Sequence, residues 1–208
     1  MGAQVIDPQI LKDPRVKMAF IVIGVAILLY LLTGSWLSNI RSSDKTIQNN
    51  FASLKQNCEQ RIQIIPQFIQ LFTYYAPQAQ DLKNQLQQVY TKTSSTPINE
   101  NILTDQQSMQ AFISSQMEVA AALSLMMVQA KNYPTLAQNR QYSMLVMQLL
   151  SLEQQIEYMT VLVNQSIIIH NNLLTGFPKN WLNSLFVGEK ERLLVEVPTF
   201  KQQQNKPS

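Results

Sequence analysis

The segment of residues 47–72, IQNNFASLKQNCEQRIQIIPQFIQLF, decides the fold of this chain. Its apolar side chains, with one arginine among them, recur at alternating intervals of four and three, the spacing of a helix that packs on other helices. The positions on this seam are Ile47, Phe51, Leu54, Cys58, Arg61, Ile65, Phe68 and Phe72. Pro66 lacks the amide hydrogen that a helix interior uses, so we expect a kink or a loosened turn there. This first long helix should end near Tyr75.

Two more helices are predicted next. Pro77 suits the first turn of a helix over residues 78–92. After a loop, Thr104 and Gln107 form a capping box for a third helix, which should end near Lys131. Its run AALSLMMVQA is apolar on nearly all sides, which favours a central, buried position.

A fourth helix completes the pattern. Thr135 and Gln138 predict its cap, and Gly176 ahead of Pro178 predicts its end. The buried face is predicted to carry Leu145, Leu149, Leu152, Ile156, Met159, Val163, Ser166, His170 and Leu173. Four helices with short joints predict an all-α fold, with an antiparallel four-helix bundle over residues 38–176.

Residues 18–37, MAFIVIGVAILLYLLTGSWL, form an uncharged run of the length that spans a bilayer. The run is longer than the apolar part of a usual secretory signal peptide, so we predict a retained transmembrane anchor in the lipid bilayer, preceded by a polar leader over residues 1–17. Three basic residues precede the run and two follow it, which favours a cytoplasmic N-terminus and a bundle on the outer face. They are Lys12, Arg15 and Lys17, and then Arg41 and Lys45.

Composition excludes several classes of function. The 208-residue chain has a net charge of +3 and only 14% charged residues, without a cluster of Lys and Arg, so we expect no nucleic-acid binding. Its five glycines are too scattered for a phosphate-binding loop. Its single cysteine, Cys58, excludes an internal disulfide and a cysteine-rich zinc site. We therefore expect a protein that is not an enzyme, with no catalytic residue, cofactor, bound metal or small-molecule substrate.

Two side chains could carry chemistry, but each has a simpler interpretation. His170 is the one histidine, and no Asp, Glu or Cys lies three or four positions from it. A core-facing, hydrogen-bonded histidine is therefore expected ahead of a general base or a metal ligand. Cys58 is expected to be a small buried hydrophobic residue.

Other residues are candidates for structure or interaction. Tyr74 and Tyr75 either cap the core or anchor a partner. Asn164 and Asn171 lie one position after the buried face of the fourth helix, and we expect them to form interhelical hydrogen bonds that fix its register.

Residues 177–208 are predicted to form an amphipathic element followed by a flexible tail. Trp181, Leu182, Leu185 and Phe186 form a short amphipathic turn, which up-down helix order would bring back to the membrane. This turn either presses on the bilayer or folds back onto the base of the bundle.

Arg61 lies on an apolar seam, where a guanidinium needs a carboxylate partner. In an antiparallel arrangement, Arg61 on the first helix and Glu153 on the fourth each stand about 21 residues, or roughly 32 Å, above the membrane-proximal end. We therefore predict a buried ion pair between Arg61 and Glu153 with a structural role. A slip of one helical turn would put Glu157 in place of Glu153.

Two blocks of the chain resemble the LemA family of bacterial membrane-anchored helical proteins. Residues 51–76, FASLKQNCEQRIQIIPQFIQLFTYYA, are similar to the family's stretch around a Leu-Ile-Pro-Asn-Leu-Val box. Residues 132–178 are similar to its second block, with a Tyr-Pro-x-Leu opening, two Asn positions and a closing Phe-Pro. Val163 and His170 depart from it, since the family usually has Tyr there. The resemblance implies a helical bundle on one anchor in the bacterial inner membrane, and it implies no reaction.

These expectations favour a non-enzymatic scaffold or accessory protein that binds a protein partner in a bacterial membrane complex. The alternative is a structural protein that acts on lipid through the amphipathic element of residues 177–208. A homo-oligomer is left open, and the patterns do not identify the partner.

Overall fold

The computed structural model describes residues 14–95, 100–176 and 179–199, and in these ranges the fold is all-α, as predicted. The described residues form seven α-helices: α1 (Pro14–Gln63), α2 (Ile65–Tyr75), α3 (Gln80–Ser94), α4 (Gln106–Ala130), α5 (Pro134–Ala137), α6 (Arg140–Leu174) and α7 (Lys179–Leu182). A 3₁₀ turn, Glu100–Leu103, precedes α4, and a π-helical turn, Asn183–Val187, follows α7. Residues 188–199, here named the C-terminal segment, contain no helix. The tail predicted at residues 201–208 lies outside the described residues.

The chain divides into two compact units, Met1–Ser42 and Ser43–Ser208. Within the described ranges, one helix is long and apolar enough to cross a membrane by length and composition, and this is α4. Nine residues of α4 are buried, and a core helix passes the same test. The N-terminal anchor over residues 18–37 stays a prediction, because several of its side chains lie outside the described residues.

The predicted break at Pro66 is present, and it separates two helices. α1 ends at Gln63, and Pro66 lies in the first turn of α2. The amide groups of Gln67 and Phe68 both donate to the Ile64 carbonyl oxygen, at 3.2 and 3.3 Å. A proline in a first turn leaves no helical hydrogen bond unmade, so the chain restarts there. All eight seam positions from Ile47 to Phe72 are buried, as the spacing predicts.

Both predicted caps are wrong. The Asp105 carboxylate caps α4 by accepting a hydrogen bond from the Ser108 amide at 2.7 Å. Asn139 caps α6 by accepting from two amides, at 2.8 and 3.0 Å. Thr135 lies inside the short α5, and its hydroxyl donates to the Tyr75 carbonyl at 3.2 Å. Asp and Asn cap better than Thr, so each helix begins after the stronger cap nearby.

Two hydrophobic clusters form the core. The first cluster contains side chains from α2, α3, α4, α5 and the start of α6, among them Phe72, Leu86 and Met126. The second cluster joins the later part of α1, the start of α4 and the end of α6, around Leu54. Among the described residues, α3 contributes nothing to the second cluster, and residues of the C-terminal segment, with Val195 and Val197 buried, contribute instead. α3 is shorter than its neighbour, with 15 residues against 25 in α4, and so does not extend alongside the second cluster.

Candidate functional site

Arg61 on α1 and Glu153 on α6 form the predicted ion pair. The Arg61 Nη1 lies 3.1 Å from Oε1 and 3.4 Å from Oε2 of Glu153. The two side chains are 0% and 1% exposed. Glu157, the partner that a one-turn slip would supply, is exposed. The two helices therefore meet in the predicted register.

Two further groups complete the surroundings of the guanidinium. Nη1 of Arg61 donates to the Pro198 carbonyl at 3.0 Å, and Nη2 donates to Oε1 of Gln116 at 2.6 Å. Gln116 is itself 1% exposed. A buried charge is tolerated when it is paired and most of its donors find acceptors. Both terminal nitrogens of Arg61 have acceptors, which three elements besides its own supply. Only Nε has no hydrogen-bond partner within the described residues. The four residues Arg61, Gln116, Glu153 and Pro198 are here named the Arg61 cluster.

The Arg61 cluster lies at the boundary between the two hydrophobic clusters. In α1, Arg61 stands between Cys58 of the second cluster and Ile62 of the first. The same change of cluster occurs on either side of Gln116 in α4 and of Glu153 in α6. Along α1, α4 and α6, the buried side chains thus belong to one hydrophobic cluster before the polar residue and to the other cluster after it. Arg61, Gln116 and Glu153 form a single polar layer between the two clusters. Such a layer penalises helix slippage, because a slip would bury an unpaired charge.

Cys58 is buried one turn before Arg61, as predicted. Burial raises the pKa of its thiol to about 11, the nearby Arg61 cation lowers it, and the Glu153 carboxylate raises it. The thiol is therefore protonated at neutral pH, and Cys58 behaves as a small hydrophobic residue rather than a nucleophile.

Asn164 and Asn171 hold the C-terminal segment instead of forming the predicted interhelical bonds. The Asn164 amide group donates to the Val195 carbonyl and accepts from the Val195 amide, both at 2.8 Å. Asn171 makes the same pair of bonds with Arg192, at 2.9 and 2.8 Å. A side-chain amide offers one donor and one acceptor, so it satisfies both backbone groups of one residue. The two asparagines fix a register, but it is that of the C-terminal segment on α6.

A second group of charges lies where the C-terminal segment meets α1 and α6. Nη2 of Arg192 lies 2.6 Å from Oδ1 of Asp44 and 2.7 Å from Oε1 of Glu189. A ring nitrogen of His170 and one oxygen of each carboxylate lie within 4.8 Å of one another. These residues are here named the His170 cluster (Asp44, His170, Glu189 and Arg192). It unites three elements that sequence spacing does not connect.

The surroundings of His170 differ from the prediction in one respect. The side chain is buried at 0% exposure, as expected. Neither ring nitrogen, however, has a hydrogen-bond partner in the described part of the chain. Burial lowers the pKa of His170, and the Arg192 cation lowers it further, whereas Asp44 and Glu189 raise it. The imidazole is therefore held in its neutral form, in which one ring nitrogen keeps a free lone pair.

A cleft borders the His170 cluster. Its volume is about 170 Å³. Asp44 and Arg192 form part of its wall, and the other lining residues are Gln48, Phe51, Ala52, Lys55 and Leu103. This volume is below the roughly 300–1,000 Å³ of pockets that take drug-sized ligands, so the cleft has room for water, ions or a small molecule only.

The remaining candidates are not members of these clusters. Tyr74 is 79% exposed, whereas Tyr75 packs against the first hydrophobic cluster. Trp181 is 58% exposed. The side chains of Leu185 and Phe186, predicted to lie on the same amphipathic face, are outside the described residues.

The comparison with protein families covers most of the chain. The model of the LemA family matches residues 50–208. This chain belongs to the LemA family. The matched range contains the Arg61 cluster, both asparagines and three members of the His170 cluster, while Asp44 precedes it. No curated protein matches the chain.

Sequence reasoning missed Gln116, Asp44, Glu189 and Arg192 as members of these clusters. One signal was present for Asp44, which stands three positions before Ile47 and so extends the seam of α1 by one step. Glu189 and Arg192 lie in a segment without helical periodicity, where spacing does not predict which side chains meet.

Proposed function

We propose that this LemA-family chain is a membrane-anchored, non-enzymatic scaffold or accessory protein that binds protein partners in a bacterial membrane complex. The observation that carries the anchor is the surface of α1 between Met18 and Tyr30, where eight large apolar side chains are 50–77% exposed. Exposed apolar surface of this extent costs free energy in water and none in hydrocarbon. At 1.5 Å per residue, residues 18–37 extend about 30 Å, the thickness of a bilayer's hydrocarbon core.

We place the anchor in the inner membrane with the N-terminus in the cytoplasm, because more basic residues precede the apolar run than follow it. Residues 38–176 would then form an antiparallel four-helix bundle on the outer face. In support, α2, α3, α4 and α6 all contribute buried side chains to the first hydrophobic cluster.

Tyr74 supports the binding role. Its ring stands edge to face with that of Tyr75, and the ring centroids are 4.8 Å apart. Tyr75 is held against the core, so it positions Tyr74 without burying it. An exposed aromatic ring that is already positioned loses little conformational entropy on entering a partner's pocket.

Affinity capture from gently solubilised membranes, quantified by mass spectrometry, tests this proposal. The baits are the wild-type chain, Tyr74→Ala and Tyr158→Ala, the last a control on an α6 tyrosine that is 63% exposed. Partners that the wild type and Tyr158→Ala retain and Tyr74→Ala loses would support the scaffold role. Enrichment no greater than that of an anchor-only chain of residues 1–42 would contradict it. Native mass spectrometry of the same eluates separates a second copy of this chain from a different protein.

Action on lipid through the region around α7 is the second candidate, and the exposure of Trp181 favours it. The chain has two tryptophans, so Trp36→Phe leaves Trp181 as the single indole fluorophore. Quenching by brominated lipids in proteoliposomes would support lipid contact at the interface. Unquenched emission would mean that Trp181 packs on protein.

A further inference from the structure

Three of the four residues of the His170 cluster are of types that commonly bind metal ions in proteins. His170 offers an imidazole nitrogen, and Asp44 and Glu189 offer carboxylate oxygens, all within 4.8 Å of one another. Zinc binds these atom types at about 2.0–2.2 Å, typically with three protein ligands when a fourth position is left for water. Small side-chain movements would bring the three atoms to that distance from a common centre.

The unpartnered imidazole is the independent observation that points to a ligand. His170 is 0% exposed, and neither ring nitrogen is hydrogen-bonded within the described residues. Buried polar side chains nearly always have a partner, and one that lacks it needs an explanation. A metal ion bound at one nitrogen would provide that partner. The imidazole also argues against Mg²⁺ and Ca²⁺, which prefer oxygen ligands alone.

From this geometry we propose that Asp44, His170 and Glu189 bind one divalent transition-metal ion of the zinc class. The guanidinium of Arg192 now bridges the two carboxylates, at 2.6 and 2.7 Å, and is the cation that the metal would displace. Arg192 also borders the cleft of about 170 Å³, which gives its side chain room to move. Its backbone stays in place, because Asn171 binds both of its polar groups.

The bound ion would join three elements that lie far apart in the chain: α1 through Asp44, α6 through His170, and the C-terminal segment through Glu189. It would therefore strengthen the attachment of the C-terminal segment to the helices. This inference does not depend on the proposed scaffold role, since it concerns a site whose occupancy is measured without a partner protein.

The test uses the full chain in detergent, prepared without a polyhistidine tag and stripped with a chelator. Calorimetric titration with ZnCl₂ should give one site per chain, and Asp44→Asn and Glu189→Gln should each weaken binding at least tenfold. Glu191→Gln is the matched control, because Glu191 is exposed and two positions from Glu189. Arg192→Gln should tighten binding, since it removes the competing cation. Unchanged affinity in both ligand variants would overturn the proposal.

A measurement on the wild-type chain avoids dependence on variants that fail to fold. The chain has a single histidine, so its imidazole nitrogens give an unambiguous NMR signal. Zinc should move one ring-nitrogen resonance of His170 in proportion to occupancy, and chelator should restore it. Zinc binding that leaves this resonance unmoved would place the metal elsewhere and refute the site, as would the absence of binding.

Discussion

Asn171 binds both backbone polar groups of Arg192, and Asn164 does the same to Val195. Seven residues of helix separate the asparagines, which is about 10.5 Å of rise. Three residues of chain separate their targets, which is about 10 Å when fully extended. The distance between the two asparagines thus matches the distance between the two residues they bind. One face of α6 therefore binds the C-terminal segment in an extended conformation, and the segment runs in the direction opposite to α6. The attachment of the segment to α6 places the Pro198 carbonyl next to Arg61 and the Glu189 carboxylate next to His170.

Asn164→Ala should release the middle of the C-terminal segment. The variant loses two hydrogen bonds and leaves the backbone of Val195 without its partner, which should cost roughly 1–3 kcal/mol. Hydrogen exchange of the Val195 amide should accelerate, and limited proteolysis should cut within residues 188–199. Asn172→Ala, at an exposed position on the same helix, is the control and should change neither. Equal exchange rates in both variants would show that the asparagine pairs do not hold the segment.

A double-mutant cycle on Arg61 and Glu153 should show strong coupling. Arg61→Met and Glu153→Gln each break a buried pair, and each should cost on the order of 3 kcal/mol of unfolding free energy. Arg61→Met should be the more damaging of the two, because Gln116 and Pro198 also lose a donor. Thermal or denaturant unfolding of the two single variants and the double variant measures the coupling.

The pair formed by Lys92 and Glu118 is the control for this cycle. Its nitrogen–oxygen distance is 2.6 Å, but its side chains are 63% and 38% exposed. An exposed pair should contribute only about 0.2–1 kcal/mol. Additive losses at Arg61 and Glu153 would show that the two charges do not interact.

Cys58 should resist thiol reagents while the protein is folded. With a thiol pKa of about 11, the thiolate is scarce at pH 8, and the side chain is buried. Reaction with a disulfide reagent should therefore follow the rate of unfolding. Rapid labelling of the native protein would contradict the assigned burial.

The same pKa predicts a loss of stability at high pH. The thiol pKa rises from 9.0 to about 11 on folding, so the folded state holds its proton more tightly. The resulting stabilisation, roughly 3 kcal/mol, is complete below pH 9 and disappears as the pH rises toward 11. Denaturant unfolding at several pH values measures it, and Cys58→Ala should flatten the slope in this window. An equal slope in both proteins would assign the loss to other groups.

A chain that begins near Ser38 should be soluble and helical without detergent. The buried faces of α1 to α6 are covered by one another and by the C-terminal segment within the unit Ser43–Ser208. Circular dichroism and light scattering should report a helical, monomeric or weakly associating protein. A requirement for detergent, or a mainly disordered spectrum, would contradict the fold of this unit.

Protease added to intact spheroplasts should digest the chain beyond residue 38. The expectation follows from the excess of basic residues ahead of the apolar run. Digestion in lysed spheroplasts is the control for accessibility. Protection in intact cells with cleavage after lysis would reverse the orientation of the anchor.

The sequence by itself determined the all-α fold, the buried seam of α1 and α2, the break at Pro66 and the pairing of Arg61 with Glu153. These follow from local rules: the helical repeat selects one face, and a fixed rise per residue sets which levels of two antiparallel helices meet. The sequence did not determine where α4 and α6 begin, and Met159 and Leu173 of the predicted fourth seam are only half-buried. Only the tertiary structure decided that Asn164 and Asn171 bind a non-helical segment, and that Asp44, His170 and Glu189 converge. The sequence of the C-terminal segment has no helical repeat, so spacing does not predict which residues it contacts. Its position depends on the helices it packs against.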